Sequence, residues 1–197
     1  MVKKILFFAS GNGTNVENIV RFFEHDKKVK WLGVFTNNPQ AGVIERCLRL
    51  GIEVRLFSKK EFSNGNLLEE VQLLNPDLIV LAGFLWKIGP EWIAHFPNQI
   101  INIHPALLPK YGGKGMYGDK IHEKVLANHD LETGITIHFV NESFDEGEII
   151  YQNKCLVEKS DTVEKLAYRV HQLEHVHYPR VIEDLLKKTE KASLALK

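Results

Sequence analysis

Cysteine is scarce in this chain: two occur in 197 residues, Cys47 and Cys155, far apart and each in apolar company. That excludes a disulfide-stapled scaffold and favours two buried free thiols over a bridge. No Cys-x-x-Cys pair and no His-Glu-x-x-His motif occurs, so no metal is expected. Long hydrophobic runs are missing too. The apolar stretch after Lys3 and Lys4 ends at Ser10-Gly11-Asn12-Gly13, too short for a secretion signal or a membrane span. Nor is there an excess of either charge. Lys and Arg total 25 and Asp and Glu total 25, which argues against a nucleic-acid groove and against an acidic disordered tail. A cytoplasmic globular protein acting on small molecules survives these exclusions, without nucleic acid or membrane as partner and as a monomer or homodimer.

What is present is an alternation of strands and helices. Ile5–Ala9 is an unbroken apolar run, the mark of a strand buried on both faces. A helix over Val16–Phe23 follows, then a strand over Trp31–Thr36, a helix over Ala41–Leu50 closed by Gly51, and a short strand over Glu53–Phe57. Leu67–Leu74 reads as a helix broken by Asn75-Pro76, and Asp77–Ala82 and Ile100–His104 as two more strands. After Gly134 the pattern changes: Ile135–Val140 and Glu148–Val157 flank the turn Phe144-Asp145-Glu146-Gly147. A long helix capped by Ser160-Asp161-Thr162 then runs from about Val163 to Leu186, with a frayed end from Lys187 to Lys197. The expected fold is a single α/β domain over residues 1–197. Its open, mostly parallel sheet is flanked by helices, with antiparallel C-terminal strands and a long C-terminal helix.

Two places carry chemistry. The first is Gly11-Asn12-Gly13-Thr14-Asn15, between a buried strand and a helix, where free amides and the helix dipole favour an anion. A dinucleotide fingerprint would need a third glycine where Val16 stands and an acidic residue near Thr36-Asn37-Asn38, and no P-loop Gly-Lys-Ser/Thr follows. A terminal phosphate on a small ligand and a ligand-free tight turn both remain open. The second place is Asn102-Ile103-His104-Pro105. With period two, Asn102 and His104 share a face at the carboxyl end of a strand, where open α/β sheets bind ligands. An imidazole there suits general acid–base work and an amide suits an oxyanion. Asp145 is placed to reach the same crevice and raise the imidazole's pKa. On the residues alone, a purely structural histidine is the commoner alternative.

Several segments, in order, carry a resemblance that decides between these readings. They are Ser-Gly-Asn-Gly-Thr-Asn (10–15), Leu-Ala-Gly-Phe (81–84), Asn-Ile-His-Pro-Ala-Leu-Leu-Pro-Lys-Tyr (102–111), Gly-Ile-Thr-Ile-His-Phe-Val (134–140), Phe-Asp-Glu-Gly (144–147) and Gln-Leu-Glu-His (172–175). Over nearly its whole length the chain resembles the folate-dependent formyl transferases of the phosphoribosylglycinamide type. The resemblance implies transfer of a formyl group from 10-formyltetrahydrofolate to the amine of 5-phosphoribosylglycinamide in purine synthesis. By the same resemblance Asn102, His104 and Asp145 are catalytic, and Gly11, Asn12, Gly13, Thr14 and Asn15 hold the substrate phosphate. Glu174 contacts the ribose. Leu85, Trp86, Lys87 and Ile88, with Val140 and Asn141, wall the folate site. Trp86 as ordinary core and Glu174 as a solvated helix charge are the plainer alternatives.

The chain departs from that pattern in two stretches. Residues 58–64 hold no arginine where many relatives have one for ligand binding, leaving a lysine to substitute. The glycine-rich stretch 112–122 is longer than usual and is expected to form a mobile flap; by the resemblance, His122 aligns loosely with a family histidine. The mechanism implied has Asn102 and a protonated His104 stabilising the oxyanion, with Asp145 keeping His104 charged. The rivals are a 10-formyltetrahydrofolate deformylase, a methionyl-tRNA formyltransferase and a non-catalytic phosphate- or nucleotide-binding module. The first would usually carry an extra N-terminal domain ahead of the strand at which this chain starts. The second would need an RNA-binding domain.

Overall fold

The computed structural model describes residues 2–195, with side chains as far as Lys188. Its seven strands are β1 (Lys3–Phe8), β2 (Val29–Thr36), β3 (Val54–Leu56), β4 (Leu78–Leu81), β5 (Ile100–His104), β6 (Glu132–Phe139) and β7 (Ile149–Leu156). They form one sheet in the order β3-β2-β1-β4-β5-β6-β7. β1 to β5 are parallel, and β6 and β7 run antiparallel. The chain builds outward from β1 through β2 to β3, then returns to lay β4 on the other side of β1. This reversal opens a crevice at the carboxyl ends of β1 and β4.

The pleat of β1 explains the two-sided core. Ile5 and Phe7 enter one apolar cluster, with Val16 and Ile19 of helix α1 (Thr14–Phe22) and Tyr178 and Ile182 of α7 (Val163–Ala195). Leu6 and Phe8 enter the other, with Phe62 of α3 (Lys59–Ser63), Leu67 and Val71 of α4 (Asn66–Leu74) and Trp92 of α5 (Pro90–His95). Each such side chain contributes about 1.5–3 kcal/mol by leaving water, so helices must cover both faces. α2 (Val43–Leu50) lies on the first side, and α6 (Asp119–Ala127) packs against α7 through Ile121, Val125 and Leu166. The Tyr178 hydroxyl donates to the Leu81 carbonyl at 2.9 Å, docking α7 onto the end of β4. No described helix is long and apolar enough to cross a membrane.

The strands stand where the apolar runs place them, and Gly51 caps α2 in the left-handed conformation. Three helices lack a sequence counterpart. α3 and α5 are only five and six residues long, too brief to show a period. α6 begins inside the glycine-rich stretch, which as irregular chain therefore ends at Gly118. α7 runs to Ala195, past the end expected near Leu186, and an i,i+4 pair joins Glu183 and Lys187 at 2.8 Å. Leu196 and Lys197 lie outside the described residues. Cys47 is buried and Cys155 only half-buried, both as free thiols.

Candidate active site

The turn from β1 into α1 is built around Gly13. Its φ of 74° is left-handed, and a Cβ there would stand 2.4 Å from Val43 Cγ2, so only glycine satisfies both demands. α1 starts at Thr14 with no side-chain cap, leaving its first amides to an outside acceptor. Asn12, Gly13, Thr14 and Asn15 line a cleft of about 500 Å³ at the sheet's switch point. Gly11 stands outside that lining, and its carbonyl instead accepts from the Val43 amide at 3.1 Å. Arg46, which sequence reasoning missed, braces the loop by donating to the Asn12 carbonyl at 2.8 Å while pairing with Glu17. Glu174 is buried rather than solvated. It accepts from Asn15 Nδ2 at 2.9 Å and from His171 Nδ1 at 2.8 Å, tying α7 to the loop.

Across the cleft, Asn102 and His104 project from β5 to the same side, and Asp145 meets them from the β6–β7 turn. That turn is tight. The Gly147 Cα lies so near the Phe139 carbonyl that a Cβ would come within 1.7 Å of its oxygen, and Asp145 adopts a left-handed φ of 58°. The His104 Nε2–H donates to the Tyr111 carbonyl at 2.8 Å, leaving Nδ1 turned toward Asp145 Oδ2 at 3.6 Å. His138 joins the group, a residue quoted in the sequence motif but not assigned to the site. Its Nδ1–H donates to the Phe139 carbonyl, and its Nε2 faces Asn102 Nδ2 at 3.3 Å and Asp145 Oδ1 at 3.7 Å. Alternation within β5 could not reveal it, because His138 reaches the group only through its register opposite Asn102 on the β5–β6 ladder.

The electrostatics correct one expectation. Burial pushes the His104 imidazole below its ordinary range, and the opposing pull of Asp145 and the Tyr111 carbonyl does not reverse the shift. The balance favours the neutral imidazole in the free protein, where a charged ring was expected. Burial alone would raise the Asp145 carboxyl. His138, His104 and the Gly113 amide together hold it below the usual carboxylate range. A neutral imidazole beside an ionised carboxylate is poised to accept a proton and to be stabilised once it has done so.

The residues expected at a folate site divide between two hollows. Leu85 lines the main cleft, while Trp86, Lys87, Ile88, Val140 and Asn141 line a small neighbour of about 60 Å³. The two share Phe84, Asn102, Phe144 and Asp145, so they are one continuous surface. Trp86 is half-buried against Phe57, Phe62 and Phe84, with Lys59 Nζ 4.3 Å from its ring centroid. The lysine in the arginine-free stretch thus stands beside the aromatic wall. His122 is buried on α6 with Nδ1 unpartnered, and burial lowers its pKa. It lines a side hollow bounded by Glu174 and His171 and does not itself line the main cleft.

Known proteins resemble this chain in sequence and fold. A formyl transferase family model matches residues 3–182. A phosphoribosylglycinamide formyltransferase of Bacillus subtilis is 37% identical over 191 residues, covering 94% of this chain and 95% of its own. The chain belongs to the formyl transferase family, among the phosphoribosylglycinamide formyltransferases. A chloroplastic relative from Arabidopsis thaliana is 40% identical over 91% of this chain, which spans 64% of that protein's length. The solved phosphoribosylglycinamide formyltransferase of Streptococcus pneumoniae superposes with a TM-score of 0.83 at 32% identity, covering 94% of this chain and 99% of its own. Family membership accounts for the fold, antiparallel edge included. The work of each residue in the formyl transferase cleft follows from its chemistry.

Proposed function

We propose that this chain transfers the formyl group of 10-formyltetrahydrofolate to the amine of 5-phosphoribosylglycinamide. The observation that carries the reading is the meeting of His104, Asp145 and Asn102 at one edge of a cleft whose other edge is an uncapped helix N-terminus. In this reading the substrate's ribose lies between phosphate loop and imidazole, and Glu174, which lines the same cleft and accepts from Asn15, is the group that meets it. Folate supplies the electrophilic carbon. Trp86 and Phe144 offer it aromatic faces, and Lys59 and Lys87, each over one of those rings, suit its acidic tail.

The chain's own residues divide the remaining work. Neutral His104 accepts the proton that the attacking amine sheds, through the Nδ1 that faces Asp145. Asp145 stabilises the imidazolium so formed. Asn102 keeps one N–H on His138 and turns the other to the oxygen on which charge develops. His104 then returns its proton to the departing nitrogen. Water reaching the same carbon would give hydrolysis instead, so the assay must separate the two. Protein is mixed with 10-formyltetrahydrofolate, with and without the ribonucleotide, and folate absorbance is followed. A change that requires the ribonucleotide is expected; one that does not would make the protein a deformylase, and none at all a binding module. His104→Ala and Asp145→Ala should fold normally and lose about two to three powers of ten in kcat. Near-wild-type turnover in either would refute the assignment.

A further inference from the structure

The segment between β5 and α6 holds both members of the acid–base pair without offering a catalytic side chain of its own. The Tyr111 carbonyl accepts from His104 Nε2 at 2.8 Å, and two residues on, the Gly113 amide donates to Asp145 Oδ2 at 3.0 Å. Between them, Gly112 packs so closely that a Cβ would stand 2.7 Å from Leu108 and 3.3 Å from the Asp145 Cβ. This short run of backbone therefore sets where imidazole and carboxylate stand. Tyr111 is itself left-handed, with φ 59°, a conformation that a large side chain keeps only when something holds it.

What holds it lies outside the cleft. The Tyr111 hydroxyl donates to Asp130 Oδ2 at 2.6 Å and accepts from Asn128 Nδ2 at 2.7 Å. Asp130 also pairs with Lys110 at 2.6 Å, and its amide donates to the Val125 carbonyl at 3.2 Å, at the end of α6. Tyr111 lines a separate shallow groove with Asp130 and not the cleft, so its side chain has no route to a bound substrate.

We infer that Tyr111 is a positioning residue: its phenol, pinned by Asp130 and Asn128, locks the left-handed backbone whose carbonyl and neighbouring amide aim His104 and Asp145 at each other. Its kinetic consequence rests on the formyl-transfer reading above; its effect on the imidazole does not. The groups that face His104 are Asp145 on the β6–β7 turn, His138 on β6, Glu174 on α7 and the Tyr111 carbonyl itself. Of these, loosening the tyrosine anchor disturbs the carbonyl first. That carbonyl favours the protonated ring, so its loss moves the imidazole toward the neutral form.

The test compares full-length Tyr111→Phe, Asp130→Ala and Asp130→Asn with the wild type. Steady-state kinetics on both substrates are combined with an NMR titration of the His104 ring. Tyr111→Phe and Asp130→Ala should lower kcat about tenfold with both KM values within about twofold, and His104 should titrate at lower pH. Asp130→Asn still accepts from the phenol and should restore most of both readouts. An unmoved His104 midpoint in Tyr111→Phe overturns the inference, whether kcat holds or falls only with the folded fraction. Should the wild type show no ribonucleotide-dependent transfer, the formyl-transfer reading fails, while the titration still decides the role of Tyr111.

Discussion

In the proposed mechanism His104 is the base, and two environments compete for its proton. Burial favours the neutral ring and Asp145 the charged one, and burial prevails in the free protein. A base must be neutral before it acts, so kcat/KM should rise with pH through a midpoint below the ordinary histidine value of about 6.5 and then level off. Asp145→Asn removes the main force opposing burial. Its acid limb should move to still lower pH while its plateau falls, and a limb that moves upward would show that Asp145 does not favour the charged imidazole. The trio was legible only in part. Strand periodicity aligned Asn102 with His104, but Asp145 lies 41 residues further on in a turn, and no local pattern brings it back to β5. The family resemblance did that. His138 stayed hidden because its role depends on the pairing of β6 with β5, a fact of register that one strand's sequence does not contain. Tyr111 stayed hidden because it works through its carbonyl, which every residue has.

At the scale of elements, the geometry of the turn between β1 and α1 decides where the first amides of α1 point. Gly13 is both left-handed and in contact with Val43 of α2, so Gly13→Ala strains the backbone and pushes α1 away from α2. Stability should fall by about 1–3 kcal/mol. KM for the ribonucleotide should rise at least about tenfold, since the amides of α1 no longer converge, while KM for the folate stays near the wild-type value. Equal rises in both constants would remove the phosphate from this loop. Gly11→Ala is the contrasting case: nothing lies within 4 Å of its Cβ position, and neither constant should change. The long elements were readable because continuous burial and helical spacing print themselves on sequence. Ile79 and Val80 in β4, buried on both faces, could stand nowhere else. α3 and α5 owe their existence to what they cover, Phe62 and Trp92 each filling a gap beneath the sheet, and a five-residue segment has no period to read. α7 runs past its expected end, and the pairing of Lys187 with Glu183 supports the helix as far as Lys187.

At the scale of the whole molecule, the pKa shifts act together and fix how stability responds to pH. His104, His122, His175 and His177 are each pushed below their ordinary range, burial being the largest cause in every case. In the unfolded chain these rings take up protons near pH 6.5, whereas the folded protein refuses them until lower pH. Below 6.5 the unfolded state therefore binds more protons, and stability must fall as pH falls. A second decline follows at lower pH. Asp145, Asp130 and Asp161 are held below the usual carboxylate range, and Glu61 is brought to about 2 by Ser58 and Arg55. On the alkaline side the sign reverses. Burial raises the Cys47 thiol to about 11 and the Tyr178 phenol well above its ordinary value, so the unfolded chain loses these protons first and stability falls again as pH rises above about 9. Thermal melts should therefore trace a dome with its plateau between about pH 7 and 9. The acid shoulder near 6.5 is the diagnostic feature, because carboxylates alone would leave the melting temperature flat down to about pH 5. Replacing His122, whose Nδ1 is buried without a partner, by asparagine should shrink that shoulder, and a shoulder unchanged in His122→Asn would mean that this ring keeps its proton in the folded protein.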